Sequence, residues 1–387
     1  MNILMIGTDD SVFKKDISNN NTFIRHSYYL NALQKIESES TITALVYTRE
    51  DFLIISPTRG LTYYPVKTPF LQLFPIYGLI KVLRIRNKNN FDLITSQNPF
   101  EIGLLALILK WLLKTPMEIQ IHFNFFSPYW FVEHQIFNRI RFFLSRYIIH
   151  SVDHIRVVSS SIKNNLVRNF SISEQVISII PVPFIYPINR NNCQRIENNV
   201  KSNDRIILFV GRLCYPKNIP GLFKVIETIQ KTHKVKFVII GDGPLFGFVE
   251  KKIRHLNDIN ISLHTNLNFE QLVCWYQSAD VLILPSLYEG FGRVLVEAYT
   301  FQTPAVATRC GGPEDIVLNG KTGFLTEVED LEKFANKVIW LLDHPEQASR
   351  MGKLGFEYVI KEFDPEFLIT RMIKKWHQIC NPEFNIQ

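Results

Sequence analysis

The chain has 387 residues, 46% of them hydrophobic and 20% charged, which suits two globular domains and excludes wholesale disorder. The formal net charge of +7 lies entirely in the first half: residues 1–190 hold 20 Lys+Arg against 13 Asp+Glu, and residues 191–387 hold 23 of each. An excess confined to one half points to an anionic partner for that half. The five cysteines are widely spaced with no Cys-x-x-Cys, which argues against a zinc site or a disulfide framework and suits a reducing compartment. The first apolar run, Asn2 to Ile6, is too short for a signal peptide. The longest, Ile102 to Leu113, is broken by Lys110 and falls short of the roughly 20 residues that span a bilayer.

In chain order, strands are expected at Asn2–Ile6, Thr41–Tyr47, Phe91–Ser96, Glu118–His122, His154–Ser159 and Val176–Val182, with helical patterns between them. A polar, Asn-rich stretch, Tyr186 to Asp204, reads as the linker. Beyond it, strands are expected at Ile206–Gly211, Lys236–Gly241, Ile261–Thr265, Asp280–Pro285 and Ala305–Thr308. Helices fall near 220–232, 244–257, 269–278, 292–302 and 329–343. This alternation implies an α/β protein of two doubly wound, Rossmann-like domains facing across a cleft, with ligands at the carboxyl ends of the strands. The domains are placed at 1–190 and 200–364.

The stretch Asp280 to Tyr299 carries the most information. A strand ends at Pro285-Ser286, a loop holds Glu289-Gly290-Phe291-Gly292, and a helix follows with Glu297 inside it. Gly290 and Gly292 let backbone approach a ligand, and the helix start offers free N–H groups to an anion. Glu297 can accept hydrogen bonds from two neighbouring sugar hydroxyls. Arg212 directly follows Gly211 at the end of the first strand of the second half, and Lys217 comes five residues later. Both are candidates to clamp a diphosphate leaving group.

Those residues sit in FVGRL (209–213), IIGDGP (239–244), ADVLILPS (279–286), EGFGRVLVEA (289–298), PAVATRCGGPED (304–315) and NGKTGFL (319–325). In these segments the chain resembles the retaining glycosyltransferases of family 4, which have the GT-B architecture. The resemblance implies that Arg212 and Lys217 bind the donor diphosphate, Glu297 the ribose, and Glu289 with the Phe291-Gly292 backbone the transferred sugar. Gly211, Gly241 and Gly243 would line the donor site, with Leu267 and Leu325 near the base. In the first half the resemblance is looser. It implies that His122 lies near the reacting sugar. The chain departs from the Gly-Gly loop that family members often carry after the first strand: Gly7 keeps one glycine near the phosphates, and Arg25 and His26 are candidates to supply acceptor contacts instead. A C-terminal helix, about 365–387, would cross back onto the first domain.

Other motifs fail. GDGPLFG (241–247) puts its third glycine one residue late for a dinucleotide fingerprint, which disfavours an NAD oxidoreductase. His150 and His154 lack a third metal ligand and read as structural, and Asp9-Asp10 as solvated turn residues. No nucleic-acid module is recognisable. Around 75–88, Ile76, Ile80 and Leu83 share one helical face and Tyr77, Lys81, Arg84 and Lys88 another. Around 135–148, Ile136, Ile140, Phe143 and Tyr147 share a face flanked by Arg139, Phe142 and Arg146. The apolar faces are expected in the core and the cationic ones against an anionic membrane.

The resulting expectation is a cytoplasmic glycosyltransferase, peripheral on the inner face of the membrane. It would use a nucleoside-diphosphate sugar without a metal or other cofactor, and act on a lipid-linked or surface-polysaccharide acceptor. Other readings are a catalytically silent glycan-binding protein of the same fold and a sugar-nucleotide epimerase.

Overall fold

The computed structural model describes residues 1–14, 17, 20–86, 90–133, 135–185, 205–256 and 260–383. The expected linker, Tyr186 to Asp204, and Lys88 lie outside them. The chain divides into two compact units: Met1–Phe125 with His134–Ile185 and Pro365–Gln387, and Phe126–Glu133 with Tyr186–Asp364.

The first unit is built on an eight-stranded sheet of order β3-β4-β2-β1-β5-β6-β7-β8. Its strands are β1 (Asn2–Gly7), β2 (Thr41–Thr48), β3 (Ile55–Thr58), β4 (Leu61–Lys67), β5 (Leu93–Ser96), β6 (Met117–Ile121), β7 (His154–Val157) and β8 (Ile177–Ile179). All pair in parallel except β3 with β4. The β3–β4 hairpin was not foreseen from sequence. Pro57 and Pro65 obscure the strand pattern, and Gly60 turns the chain at a φ of 89°. The crossovers carry α1 (Asn21–Gln34), α2 (Phe74–Arg86), α3 (Glu101–Leu113), α5 (Gln135–His150) and α6 (Ser160–Phe170).

Two of these helices overturn the expectation for their apolar faces. On α2 the buried stripe is Phe74, Gly78 and Val82, while Ile76, Ile80 and Leu83 are exposed. On α5 the buried positions include Asn138 and Ser145, while Ile136 is 74% and Phe143 72% exposed, with Ile140 and Tyr147 also outward. The α5 interior combines polar contacts with buried Ile148 and Ile149. Arg141 pairs with Glu101 at 2.8 Å, and Ser145 donates to the Phe142 carbonyl at 2.7 Å. Half-buried Phe142 stacks edge-on against Phe170 at 5.1 Å.

The second unit has a six-stranded parallel sheet of order β11-β10-β9-β12-β13-β14. Its strands are β9 (Ile206–Val210), β10 (Lys236–Ile240), β11 (Ile261–His264), β12 (Val281–Leu284), β13 (Ala305–Thr308) and β14 (Gly323–Thr326). β9, β12 and β13 are buried along their whole length, as continuous apolar runs in parallel sheets are. One face packs Phe209, Phe237, Ile239 and Ile283 against α7 (Ile219–Gln230) and α11 (Leu331–Asp343). Each such side chain contributes roughly 1.5–3 kcal/mol of burial. The unit also holds α4 (Pro128–Glu133), α8 (Phe246–His255), α9 (Phe269–Ser278), α10 (Arg293–Thr300) and α12 (Pro345–Glu362).

The final helix, α13 (Pro365–Cys380), belongs to the first unit. Trp376, fully buried, donates its indole N–H to Glu118 on β6 at 3.0 Å.

Candidate active site

In each sheet the strand order reverses beside the first strand of the unit. β1 lies between β2 and β5, and β9 lies between β10 and β12. The candidate residues collect at the carboxyl ends next to these two reversals, where doubly wound sheets bind ligands.

In the second unit, Gly211 follows β9 and Lys217 closes a 3₁₀ turn (Tyr215–Lys217). The Lys217 stem runs over Gly211, with Cε 3.3 Å from where a Cβ at 211 would stand. Its ammonium pairs with Glu289, and Ser286 donates to the same Glu289 oxygen at 2.8 Å. Arg212 is exposed and makes no ion pair among the described residues. Two cations and a carboxylate thus stand at the ends of β9 and β12.

The loop after β12 is held from below. Glu289 N–H donates to the Cys310 carbonyl at 3.2 Å, and Gly312 N–H to the Glu289 carbonyl at 3.3 Å. A Cβ on Gly312 would come 2.3 Å from the Phe291 Cα, so the glycine of the second loop lets the first lie on it. Phe291 is buried against Phe363, and Gly290 is buried beside it. Gly292, at a φ of 91°, caps α10 and leaves the first N–H groups of that helix open. Burial, with Glu289 beside it, pushes the Cys310 thiol well above its usual range.

Glu297 is 3% exposed. Tyr276 donates to one of its oxygens at 2.5 Å, and Arg293 holds the other at 2.8 Å. Sequence reasoning missed both partners. Arg293 was legible as the i−4 neighbour on the same helix, whereas Tyr276 on α9 is brought in by the fold. Gly241 and Gly243 serve the backbone. A Cβ at either would stand 2.0 Å from the Gly211 carbonyl oxygen or 2.5 Å from that of Leu213. Leu267 is half-buried in the loop before α9, and Leu325 is buried on β14.

In the first unit, Gly7 ends β1 against the Gln97 side chain. Arg25 and His26 lie on α1, and His122 directly follows β6. These three line a cavity of about 10 Å³ together with Met5, Tyr29, Thr95, Gln97 and Gln120. His26 is buried with Nδ1 3.0 Å from the Tyr63 hydroxyl. Burial, then the charge of Arg25, pulls its pKa down to about 3. Burial, then Arg156 and Arg25, likewise holds His122 well below the usual histidine range. Both rings are neutral at neutral pH.

The cavity floor rests on a buried polar ladder that sequence reasoning did not see. Glu118 and Gln120 on β6 stand opposite His154 and Arg156 on β7. Glu118 accepts from His154 at 2.9 Å, and Arg156 donates to Gln120 at 3.0 Å and to the carbonyls of Ile180 and Pro181. His154 is therefore structural, as the lack of a third ligand suggested. His150 bonds separately, to the Arg146 carbonyl. Asp9 is not a solvated turn residue: it caps a 3₁₀ turn and accepts from Ser11 and Thr22. Its carboxyl is held below the usual range by those hydrogen bonds and by Arg25, against the opposing effect of burial. Cys214, Cys310 and Cys380 are thiols outside any disulfide. Among the described residues, no three His, Cys, Asp or Glu side chains are grouped to hold a metal ion. Nor is any helix long and apolar enough to cross a membrane.

Comparisons with known proteins agree on one family. The profile of Glycosyltransferase Family 4 matches residues 42–183, and that of Glycosyl transferases group 1 matches residues 191–357. An uncharacterized glycosyltransferase of Methanocaldococcus jannaschii is 28% identical over 77% of this chain and 78% of its own. The capsular polysaccharide biosynthesis glycosyltransferase CapM of Staphylococcus aureus is 22% identical over 79% of this chain and 81% of its own. Sucrose-phosphate synthase from Thermosynechococcus elongatus shares the fold with a TM-score of 0.81 at 19% identity, over 98% of this chain and 99% of that one. Anabaena HepE, solved with UDP-glucose, shares it at 0.69 and 17% identity, over 97% and 98%. With the glutamate loop, the basic pair and two Rossmann-like sheets in place, the chain belongs to the family 4 glycosyltransferases and has the GT-B fold.

Proposed function

We propose that this glycosyltransferase takes its sugar from a nucleoside diphosphate held by the second unit and passes it to an acceptor held by the first. The observation that carries the reading is the cluster at the ends of β9 and β12: exposed Arg212, the Lys217–Glu289 pair and the open N-terminus of α10 at Gly292. Preorganised cations and N–H dipoles favour the charge that develops on a departing diphosphate. HepE, which shares the fold, was solved with UDP-glucose, in keeping with a nucleotide-sugar donor. Glu297 would receive the ribose hydroxyls, its carboxylate oriented by Tyr276 and Arg293.

In the proposed reaction the bond between the anomeric carbon and the diphosphate breaks while the acceptor oxygen bonds to that carbon from the same face. The acceptor proton passes to the leaving diphosphate, so the anomeric configuration is retained with no covalent intermediate on Glu289. Neutral His122 would hydrogen-bond the reacting sugar. Arg212 and Lys217 supply the charge neutralisation, and the reaction needs no metal. We further infer that the acceptor is a lipid-linked or surface-glycan precursor, met at an anionic membrane on the inner face. The outward apolar residues of α2 and α5, set among Lys81, Arg84, Arg139 and Arg146, support it.

Thermal-shift titration with UDP, GDP and ADP and their sugar conjugates tests the donor reading. At least one conjugate should stabilise the chain, and its turnover should survive chelation. Release of free or epimerised sugar without an acceptor would favour an epimerase, and binding without turnover a silent glycan-binding protein.

A further inference from the structure

We infer that the outer surface of the helix layer α2–α3–α5 rests on the anionic bilayer along its full length, with Trp111 and Leu112 at the end of α3 as an anchor. The strands of the first sheet then run along the membrane plane. The inference rests on the membrane reading above for its partner, and adds which surface meets the bilayer and at what angle.

The sheet order places the three helices together. β4 to β5, β5 to β6 and β6 to β7 cross the sheet in one direction, and β1 to β2 in the other. Right-handed crossovers therefore put α2, α3 and α5 on one face and α1 on the opposite one. Neighbouring helices touch. A Cβ on Gly78 of α2 would stand 2.4 Å from Leu105 of α3, and one on Gly103 of α3 would stand 3.6 Å from Ile148 of α5.

The central helix is apolar outward as well as inward. Leu104 and Ile108 are half-buried, and on the same side further along Trp111 is 57% and Leu112 49% exposed. Ile76, Tyr77 and Ile80 of α2 flank them on one side, and Phe137, Ile140 and Phe143 of α5 on the other. Apolar exposure spread over three adjacent helices marks an interaction surface. It stops at α6, which meets α5 through Phe170 and exposes Asn164, Arg168 and Asn169.

Charge selects the occupant. α2 and α5 contain no Asp or Glu, and α3 contains only Glu101, buried and paired with Arg141. Arg84, Lys114, Arg139 and Arg146 are exposed among the apolar residues. A second copy of the chain would set like charge against like charge. Anionic headgroups neutralise these cations, and acyl chains take up the apolar side chains.

The angle follows from where the exposed residues fall. Ile76, Tyr77 and Phe137 lie in the first turns of their helices, whereas Trp111, Leu112 and Tyr147 lie in the last. Contact through the first turns alone would leave Trp111 in water.

Trp111 makes the contact readable. Among the described residues it is the one exposed tryptophan: Trp130, Trp275 and Trp376 are buried and Trp340 is half-buried. The full chain is mixed with phosphatidylglycerol vesicles whose acyl chains carry bromine, which quenches indole on contact, and with unbrominated ones. Tryptophan emission should fall on the brominated vesicles only. Trp111→Phe should bind them as the wild type does and lose the quenching. Trp111→Glu combined with Leu112→Glu should weaken vesicle binding about tenfold and keep the wild-type melting temperature, because both positions are exposed. Binding without quenching, quenching that survives Trp111→Phe, or undiminished binding of the double variant would overturn the inference and leave the membrane reading to the other helices. Absence of binding to phosphatidylglycerol vesicles would overturn both.

Discussion

The two units arrange their polar side chains in opposite ways. In the second, β9 and β12 are apolar throughout and the candidate site residues sit in the loops that follow them: Arg212 and Lys217 after β9, Glu289 and Gly292 after β12. In the first, polar groups are built into the sheet itself, as Glu118, Gln120, His154 and Arg156, while apolar side chains of α5 face outward. A diphosphate is one ligand shape and can be held by backbone and short loops, whatever sugar it carries. The first unit instead pairs a buried polar floor with a sticky exterior, which suits a partner met at a surface.

The sharpest way to break this contrast is at the donor loops. Arg212→Ala and Lys217→Ala should each lower kcat/KM by more than tenfold, since charge-assisted hydrogen bonds are worth about 1.5–3 kcal/mol. The double variant should lose more. Arg212 is exposed and makes no ion pair among the described residues, so its removal should leave the melting temperature unchanged. Near-normal transfer by both single variants would remove the clamp from the mechanism.

The same contrast explains what the sequence discloses. The second unit is legible because its candidate residues lie in contiguous motifs: a strand end, a glycine pair and a helix start within a dozen residues. The fold class is legible from alternation alone, and so are most strands of both sheets. β4 escapes because Pro65 interrupts its pattern. The ladder of Glu118 with His154 escapes for another reason. Its partners are 36 residues apart and meet only through strand register. The face of α5 is misread because periodicity marks its apolar stripe but not the direction it faces. The inward side carries Arg141, paired with Glu101, together with buried Ile148 and Ile149.

A medium effect is expected at the exterior of the first unit. Ile140→Glu and Phe143→Glu change exposed positions, so the fold should persist. Co-sedimentation with vesicles rich in phosphatidylglycerol should fall by about tenfold in the double variant, while binding of donor nucleotide stays unchanged. Each Lys or Arg near an anionic surface contributes about 1 kcal/mol, so raised salt should release the wild type as well. Equal binding to neutral phosphatidylcholine vesicles, or none to either, would detach the first unit from the membrane.

The smallest effect concerns the buried histidines of the first unit. His26 has its pKa lowered from 6.5 to about 3 by burial and by Arg25, so the unfolded chain binds the proton more readily. The stability gained by keeping the ring neutral is therefore complete above pH 6.5 and is lost as pH falls toward 3. Between pH 7 and 5, His26 alone should contribute a loss of about 2 kcal/mol. His122 and His377 of the same unit, and His264 on β11 of the second, are also lowered and act with the same sign. The lowered carboxylates Asp9 and Glu118 titrate below this window, whereas the raised Glu314 acts with the opposite sign, so the share of His26 is read from the difference between variant and wild type. Urea denaturation of His26→Gln, which can still bond to Tyr63, should show a shallower decline over that range than the wild type. Identical slopes would mean that His26 is protonated in the folded chain, and the neutral lining of the cavity would go with it.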